Sequence, residues 1–194
     1  MKRLAAQYII SNCGPPLKRA IVTTEDDGTI ISIEDTAGDL KEKHSTEFYN
    51  GIIIPGFVNC HCHLELSHMK GYISEGKGLG CFIEKIRSSR ENDKENTVSS
   101  MSVADNDMLK EGIVLCADIC NSILEELKTL QFNFPEISIE DLIFWATLNC
   151  ARALGEEDRF GKIEPGKNPG LLLLRNVDLI NMKLLPESFV TRLI

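Results

Sequence analysis

The pattern of apolar and polar positions predicts short strands at both ends of the chain and helices between them. Near the amino end, β-branched and apolar runs are separated by Asn-Cys-Gly-Pro-Pro and Asp-Asp-Gly, which are turn sequences. Further short apolar runs occupy the carboxyl end. The predicted terminal strands cover residues 4–10, 20–24, 29–34, 171–174, 177–180 and 188–194.

Two longer apolar runs predict buried strands in the interior of the sequence. Residues 52–60 place Ile52, Ile53, Ile54 and Val58 around a Pro-Gly pair, and residues 113–120 form the second run. Apolar spacing and capping-box patterns predict the helices. These helices cover about residues 82–90, 101–111, 122–130 and 138–154, and the last has an apolar stripe at Leu142, Trp145, Ala146, Asn149 and Ala153.

A pair of histidines, His61 and His63, follows the first of these buried runs. Side chains alternate between the two faces of a strand, so these imidazoles share a face, with Cys60 and Cys62 on the other. Two imidazoles at this spacing can share a divalent ion, and α/β folds build sites at the carboxyl ends of their strands. The alternative is that both are polar residues where a strand meets a loop.

Two segments carry a resemblance to a known family. PGFVNCHCHLELS, residues 55–67, resembles the first barrel strand of the amidohydrolase superfamily, in the branch of metal-dependent deaminases and chlorohydrolases. FGKIEPGKNPGLLLL, residues 160–174, resembles the segment that re-enters the small β domain of these enzymes, with Pro169-Gly170 in place of the usual Ala-Asp. HCHLELS with the later GKGLG is similar to the aminodeoxyfutalosine deaminase group.

The resemblance implies an α/β fold with two parts. One is a (β/α)8 TIM-type barrel, which would be incomplete in this chain and would span residues 57–159. The other is a small β-sandwich domain formed by both termini, residues 1–56 and 160–194. A complete barrel takes about 250 residues, so the middle of the barrel is expected to be absent, with an internal deletion near residues 121–122.

The resemblance also implies a metal-dependent hydrolase of carbon–nitrogen bonds other than peptide bonds. The expected reaction is hydrolytic deamination of an amino-heterocycle or a nucleoside-like small molecule. His61 and His63 would be the metal ligands, for Zn²⁺ or otherwise iron or manganese. Glu65 would orient substrate or accept a proton, or would instead hold a histidine ring.

Other residues are considered as site residues in addition to His61, His63 and Glu65. Asp118 ends the second buried run, and a structural role is favoured over a catalytic one. His68 is interpreted as a loop residue rather than a third ligand, and His44 as a surface residue. A zinc site made of Cys60, His61, Cys62 and His63 is a further alternative, although structural zinc sites use wider spacings.

The sequence has no histidine after His68, so the later ligands of the family have no counterpart. Catalytic zinc usually has three protein ligands, and unpaired barrel strands expose apolar edges. We therefore expect an unstable chain, a homo-oligomer, or a shortened form of a longer protein, with the last favoured. The alternative to an enzyme is an inactive remnant that acts as a binding or assembly module.

Composition restricts the partners and the compartment. The formal net charge of −8 argues against a nucleic-acid partner or an anionic membrane surface. No apolar run approaches the roughly 20 residues of a membrane span, and the first ten residues do not resemble a signal peptide. Seven cysteines, an odd number without a framework spacing, predict reduced thiols, mostly as core residues, in a cytoplasmic protein.

Overall fold

The computed structural model describes residues 1–41, 43–60, 64–72, 78–89, 94–116 and 123–194. The strands within these ranges are β1 (Lys2–Ile9), β2 (Leu17–Lys18), β3 (Ile21–Thr24), β4 (Ile30–Glu34), β5 (Thr46–Pro55), β6 (Phe57–Asn59), β7 (Ile113–Cys116), β8 (Leu171–Asp178) and β9 (Lys183–Arg192). The α-helices are α1 (Gly78–Ser89), α2 (Lys94–Lys110), α3 (Ile123–Asn133), α4 (Ile139–Phe144) and α5 (Cys150–Ala153). A 3-10 helix spans Leu64–Met69, and a π-helical turn, Trp145–Asn149, joins α4 to α5.

Seven strands from the two ends of the described chain form one mixed sheet. Its order is β4-β3-β1-β5-β8-β9, with β2 paired to β1. β1 runs parallel to β5, whereas β5 and β8 are antiparallel, with Ile52 opposite Leu174. The sandwich arrangement and the division into two domains with the predicted bounds stay predictions.

Both faces of this sheet are covered, which explains the uninterrupted apolar runs in β5 and β8. Ile52 and Ile54 pack into a core shared with the helices, whereas Ile53, between them, packs into a second core on the other face. Along β8, Leu172 and Leu174 face the first core, and Leu171 and Leu173 face the second. Strand alternation therefore distributes one continuous run between two cores.

The turn predicted at Asp26-Asp27-Gly28 is confirmed, and it closes a hairpin between β3 and β4. β3 and β4 pair antiparallel, and the amide of Thr29 donates to Oδ1 of Asp27 at 2.9 Å. Gly28 has φ +91°, a backbone conformation that residues with a Cβ rarely adopt. The acidic residues here therefore belong to a turn.

The prediction of one strand over residues 52–60 is wrong, because the run is divided at Gly56. Its first half, in β5, belongs to the seven-stranded sheet, and its second half is β6, which pairs parallel to β7. The amide of Gly56 bonds to the carbonyls of Pro169 and Gly170 at 3.1 and 3.2 Å. A Cβ at Gly56 would lie 2.3 Å from Cγ1 of Val114, so this close passage requires glycine.

Several other predicted bounds differ from the structure. β8 is one strand through residue 178 rather than two, because its register with β9 continues past a bulge after Arg175. α2 begins at Lys94 rather than near residue 101. The described part of the second predicted barrel strand is β7, and residues 117–120 lie outside the described residues.

The predicted apolar stripe of the last helix is also partly wrong. Leu142 and Ala146 are buried, but Trp145 is 41% exposed, and Asn149 is exposed as well. The π-helical turn changes the angular position of the following residues, so Leu148 and Ala151 are buried instead. The capping bond is confirmed, because Oγ of Ser138 accepts from the amide of Asp141 at 3.0 Å.

Among the described residues, none of the helices has the length and apolar character needed to cross a lipid bilayer.

Candidate functional site

The candidate site follows the carboxyl end of β6. β6 and β7 are parallel, with Asn59 opposite Cys116, so their carboxyl ends lie at the same edge of the two-stranded sheet. Phe57, Val58 and Asn59 are all buried. His61 and His63 come directly after this segment in the sequence but lie outside the described residues. Their assignment as metal ligands stays a prediction.

The start of β6 is fixed by contacts of its first residue, Phe57. The amide of Phe57 donates to the carbonyl of Gly112 at 3.0 Å, just before β7 begins. Phe57 itself is fully buried in the core that also contains Ile113 and Leu142. The first residues after β5 are therefore held by both the sheet and the helices.

The 3-10 helix places Glu65 and His68 after the histidine pair, and α2 packs against it. The described part of this helix includes the backbone of Glu65 but not its side chain, so its proposed role is untested. The prediction that His68 lies in a loop is wrong. Within the described part of the chain, Nδ1 of His68 is buried and has no hydrogen-bond partner.

Unsatisfied buried polar atoms are uncommon, because leaving one without a partner costs free energy. His68 is thus a described histidine with one buried ring nitrogen, Nδ1, that makes no hydrogen bond. The other, His44, is exposed as predicted, and its Nδ1 lies 2.7 Å from Oγ of Ser45.

Two thiols meet beside the end of β6. Sγ of Cys60 donates to the carbonyl of Cys150 at 3.3 Å, and Sγ of Cys150 donates to the carbonyl of Trp145 at 3.2 Å. Burial, together with the hydrogen bond and the charge interaction with the neighbouring Cys60, raises the pKa of Cys150 to about 12. The Cys150 thiol is therefore protonated at neutral pH.

The prediction that most cysteines are core residues is wrong for those that the structure describes. Cys13 is exposed, and Cys60, Cys81, Cys116 and Cys150 are partly exposed. The approach of Cys60 to Cys150 was not predicted. Strand alternation indicated that Cys60 faces away from the histidine pair, but the sequence does not indicate which helix lies opposite.

A buried hydrogen-bond network joins the sheet to the π-helical turn. Nδ2 of Asn12 donates to Oγ1 of Thr147 at 2.7 Å and to the carbonyl of Gly161 at 2.6 Å. Oγ1 of Thr147 in turn donates to the carbonyl of Ile143 at 2.6 Å. Asn12 has φ +61°, a conformation that asparagine tolerates better than most residues. This network positions the helix that carries Cys150.

The described residues do not complete a metal site. No group of three or more histidine, cysteine, aspartate or glutamate side chains comes together in the described ranges. Asp118 lies outside those ranges. A polar cavity of about 240 Å³ lies next to Val114, Arg159 and Arg192, and its described lining contains none of the residues predicted for the site.

Comparison with known proteins identifies the family. The model of the amidohydrolase family matches residues 85–189, which is more than half of the chain. The chain belongs to the amidohydrolase family.

A curated relative and two solved structures are similar to all or part of the chain. Imidazolonepropionase from Picrophilus torridus is 40% identical over 65 residues, which are 34% of this chain and 16% of that protein. The structure of an amidohydrolase from Thermotoga maritima MSB8 has a TM-score of 0.52 and 11% identity, with 100% of both chains covered. Helicobacter pylori aminofutalosine deaminase has a TM-score of 0.46 and 22% identity, over 66% of this chain and 32% of that one.

The comparisons support the family and the general fold. The chain spans only 16% of the curated relative and 32% of the Helicobacter pylori enzyme. The Thermotoga maritima structure shares the fold. The assignment of the chain to the branch of metal-dependent deaminases and chlorohydrolases stays a prediction.

Proposed function

We propose that this chain is part of a metal-dependent hydrolase that acts on carbon–nitrogen bonds other than peptide bonds. The proposed reaction is hydrolytic deamination of an amino-heterocycle or a nucleoside-like small molecule. Membership of the amidohydrolase family supports the hydrolase class. The substrate class comes from the resemblance of the residues around His61 and His63 to the deaminase branch.

The parallel pairing of β6 and β7 carries the proposal. A parallel pair buried against helices is the beginning of a β/α architecture, in which functional groups gather beyond the carboxyl ends of the strands. The His-Cys-His sequence follows the carboxyl end of β6 after a single residue, Cys60. This position in the chain favours a functional role over a chance polar pair.

The donor set in this chain fits part of a metal site. Neutral imidazole is a common zinc ligand, so His61 and His63 would hold the ion, with iron and manganese as alternatives. A bound divalent ion would supply Lewis-acid chemistry for hydrolysis. The usual catalytic site has three protein ligands, and the described residues do not form a group that supplies the rest.

Glu65 has two proposed roles that differ in their consequences. As a carboxylate at the substrate, it would orient the amino-heterocycle or accept a proton. As a partner of a histidine ring, it would strengthen metal binding without contacting substrate. Replacement with glutamine separates these roles, because the second predicts weaker zinc binding and the first does not.

Metal content and ammonia release test the proposal. The purified chain is freed of metal with a chelator, given Zn²⁺, Fe²⁺ or Mn²⁺, and desalted before its metal is measured. We expect more bound zinc in the parent chain than in the double variant His61→Ala/His63→Ala, and as much zinc in the exposed control His44→Ala as in the parent chain. Ammonia release is then measured with adenosine-like nucleosides and amino-triazines.

Each result has a distinct meaning. Equal zinc in the parent chain and the double variant would contradict the metal site and favour an assembly or binding module. Bound zinc without ammonia release from any substrate would contradict the deaminase activity but not the site.

A further inference from the structure

The pair Cys60 and Cys150 has the arrangement of a disulfide-forming site. The two residues are 90 positions apart in sequence, yet Sγ of Cys60 lies 3.3 Å from the carbonyl oxygen of Cys150. β6 packs against both the π-helical turn and α5, so the pair bridges two elements that are held by the fold. Both cysteines are partly exposed, so a small oxidant can reach them.

We propose that Cys60 and Cys150 are a reversible oxidation site that closes to an intramolecular disulfide on exposure to hydrogen peroxide. The bond would join the residue before His61 to the first residue of α5. This inference rests on the contact of the Cys60 thiol with the backbone of Cys150 and does not depend on the proposed hydrolase activity.

The reaction has two steps that balance. In the first, the sulfur of Cys60 attacks one peroxide oxygen, the O–O bond breaks, and the departing hydroxide takes the thiol proton and leaves as water. Cys60 becomes a sulfenic acid. In the second, the sulfur of Cys150 attacks that of Cys60, the S–O bond breaks, and a second water leaves with the Cys150 proton. The thiols lose two electrons and two protons, and one peroxide is reduced to two waters.

The order of the two sulfurs is part of the proposal. We assign the first oxidation to Cys60 and the resolving step to Cys150, whose thiol donates to the carbonyl of Trp145 and is held beside the end of β6. Trapping of the sulfenic acid tests this order.

The exposed Cys13 provides a control. Its thiol lies 3.7 Å from the carbonyls of Ser11 and Ile163, and the structure describes no contact of Cys13 with another cysteine. Oxidation of Cys13 would therefore give a sulfenic acid or an intermolecular bond and would not give a cross-link within the chain.

Peptide mapping of the oxidised chain tests the proposal. The full-length reduced protein, with chelator present, is treated with hydrogen peroxide, alkylated and digested with trypsin. The expected product is a linked pair of peptides, residues 44–70 with residues 129–152. It should carry two fewer hydrogens than the separate peptides, and dithiothreitol should release it. Because residues 44–70 also contain Cys62, the Cys62→Ser variant should retain the link.

Dimedone, which traps sulfenic acids, tests the order of the steps. The Cys150→Ser variant should accumulate a dimedone adduct at Cys60, whereas Cys60→Ser should show none at Cys150. Cys13→Ser should form the cross-link as the parent chain does. Linkage of Cys62 or Cys116 to Cys150 in the parent chain, or peroxide treatment that leaves Cys60 and Cys150 unlinked, would overturn the proposal even if both serine variants failed to fold.

Discussion

The middle of the seven-stranded sheet is buried more completely than the outer faces of the helices around β6 and β7. Ile52–Ile54 and Leu171–Leu174, in the middle of the sheet, are all inaccessible to solvent. In the helical region, Phe132 is 87% exposed and Val98 is 65% exposed. The middle of the sheet is therefore fully packed, whereas the predicted chemistry belongs to the helical region.

The difference has a topological cause. Each central strand of the sheet has a partner on both sides, whereas β6 and β7 pair with each other and, in the described chain, with no third strand. A parallel pair of so few residues gains stability mainly from the helices packed on it. The helical region consequently depends on its contacts with the sheet, at Gly56 and at Asn12.

The largest expected effect is loss of a buried leucine from the sheet. Leu173→Ala removes a side chain that is 0% exposed, so it should lower the free energy of unfolding by about 2–5 kcal/mol. The matched change Leu109→Ala, at a residue of α2 that is 48% exposed, should alter it by about 0.5 kcal/mol or less. Urea unfolding measures both. Equal losses would contradict the contrast between the two regions.

The next effect concerns the passage from the sheet to β6. In Gly56→Ala the new Cβ would lie 2.3 Å from Cγ1 of Val114 and 2.7 Å from the carbonyl oxygen of Pro169, so we expect a loss of about 1–3 kcal/mol. Gly80→Ala, in α1, meets no atom within 4 Å and should gain stability by helix propensity.

Thermal melts compare the two glycine variants. The second change Val114→Ala should restore part of the stability of Gly56→Ala, because it removes one of the two clashing groups. If Val114→Ala restores none of the stability lost in Gly56→Ala, the clash with the carbonyl oxygen of Pro169 would account for the loss.

Thr147→Val tests the second junction between the regions. The valine keeps the shape but leaves Nδ2 of Asn12 without one of its two acceptors, so we expect a loss of about 1–2 kcal/mol. Thr129→Val, at an exposed position of α3, is the matched control and should have little effect. Chemical denaturation is the measurement. A loss in the control as large as that of Thr147→Val would mean that helix propensity, and not the network, is responsible.

The smallest effect is local to one helix. Ser138→Ala removes the oxygen that accepts from the amide of Asp141, so it should cost about 1 kcal/mol. Ser102→Ala, in the exposed interior of α2, should be neutral or slightly stabilising because alanine favours helix. Circular dichroism during thermal unfolding measures both. A loss at Ser102 equal to that at Ser138 would contradict the capping role.

Local structure was predictable from the sequence where it depends on residues that are neighbours in the chain. The turn at Asp27 and Gly28 and the cap at Ser138 were identified, because each depends on residues that are close in sequence. The existence of the β5 and β8 runs was likewise predicted from their apolar character. The family was recognised from two short segments and is confirmed by the match over residues 85–189.

Other features were decided by contacts between distant residues. An apolar run indicates burial but not its partner, so the division at Gly56 was determined by Val114 and Pro169, which are distant in sequence. The phase of the last helix changed because a π-helical turn was inserted. The sequence by itself determined the turns, the caps and the histidine spacing. Only the tertiary structure brought Cys60 to Cys150, since contacts 90 residues apart depend on how the whole core packs.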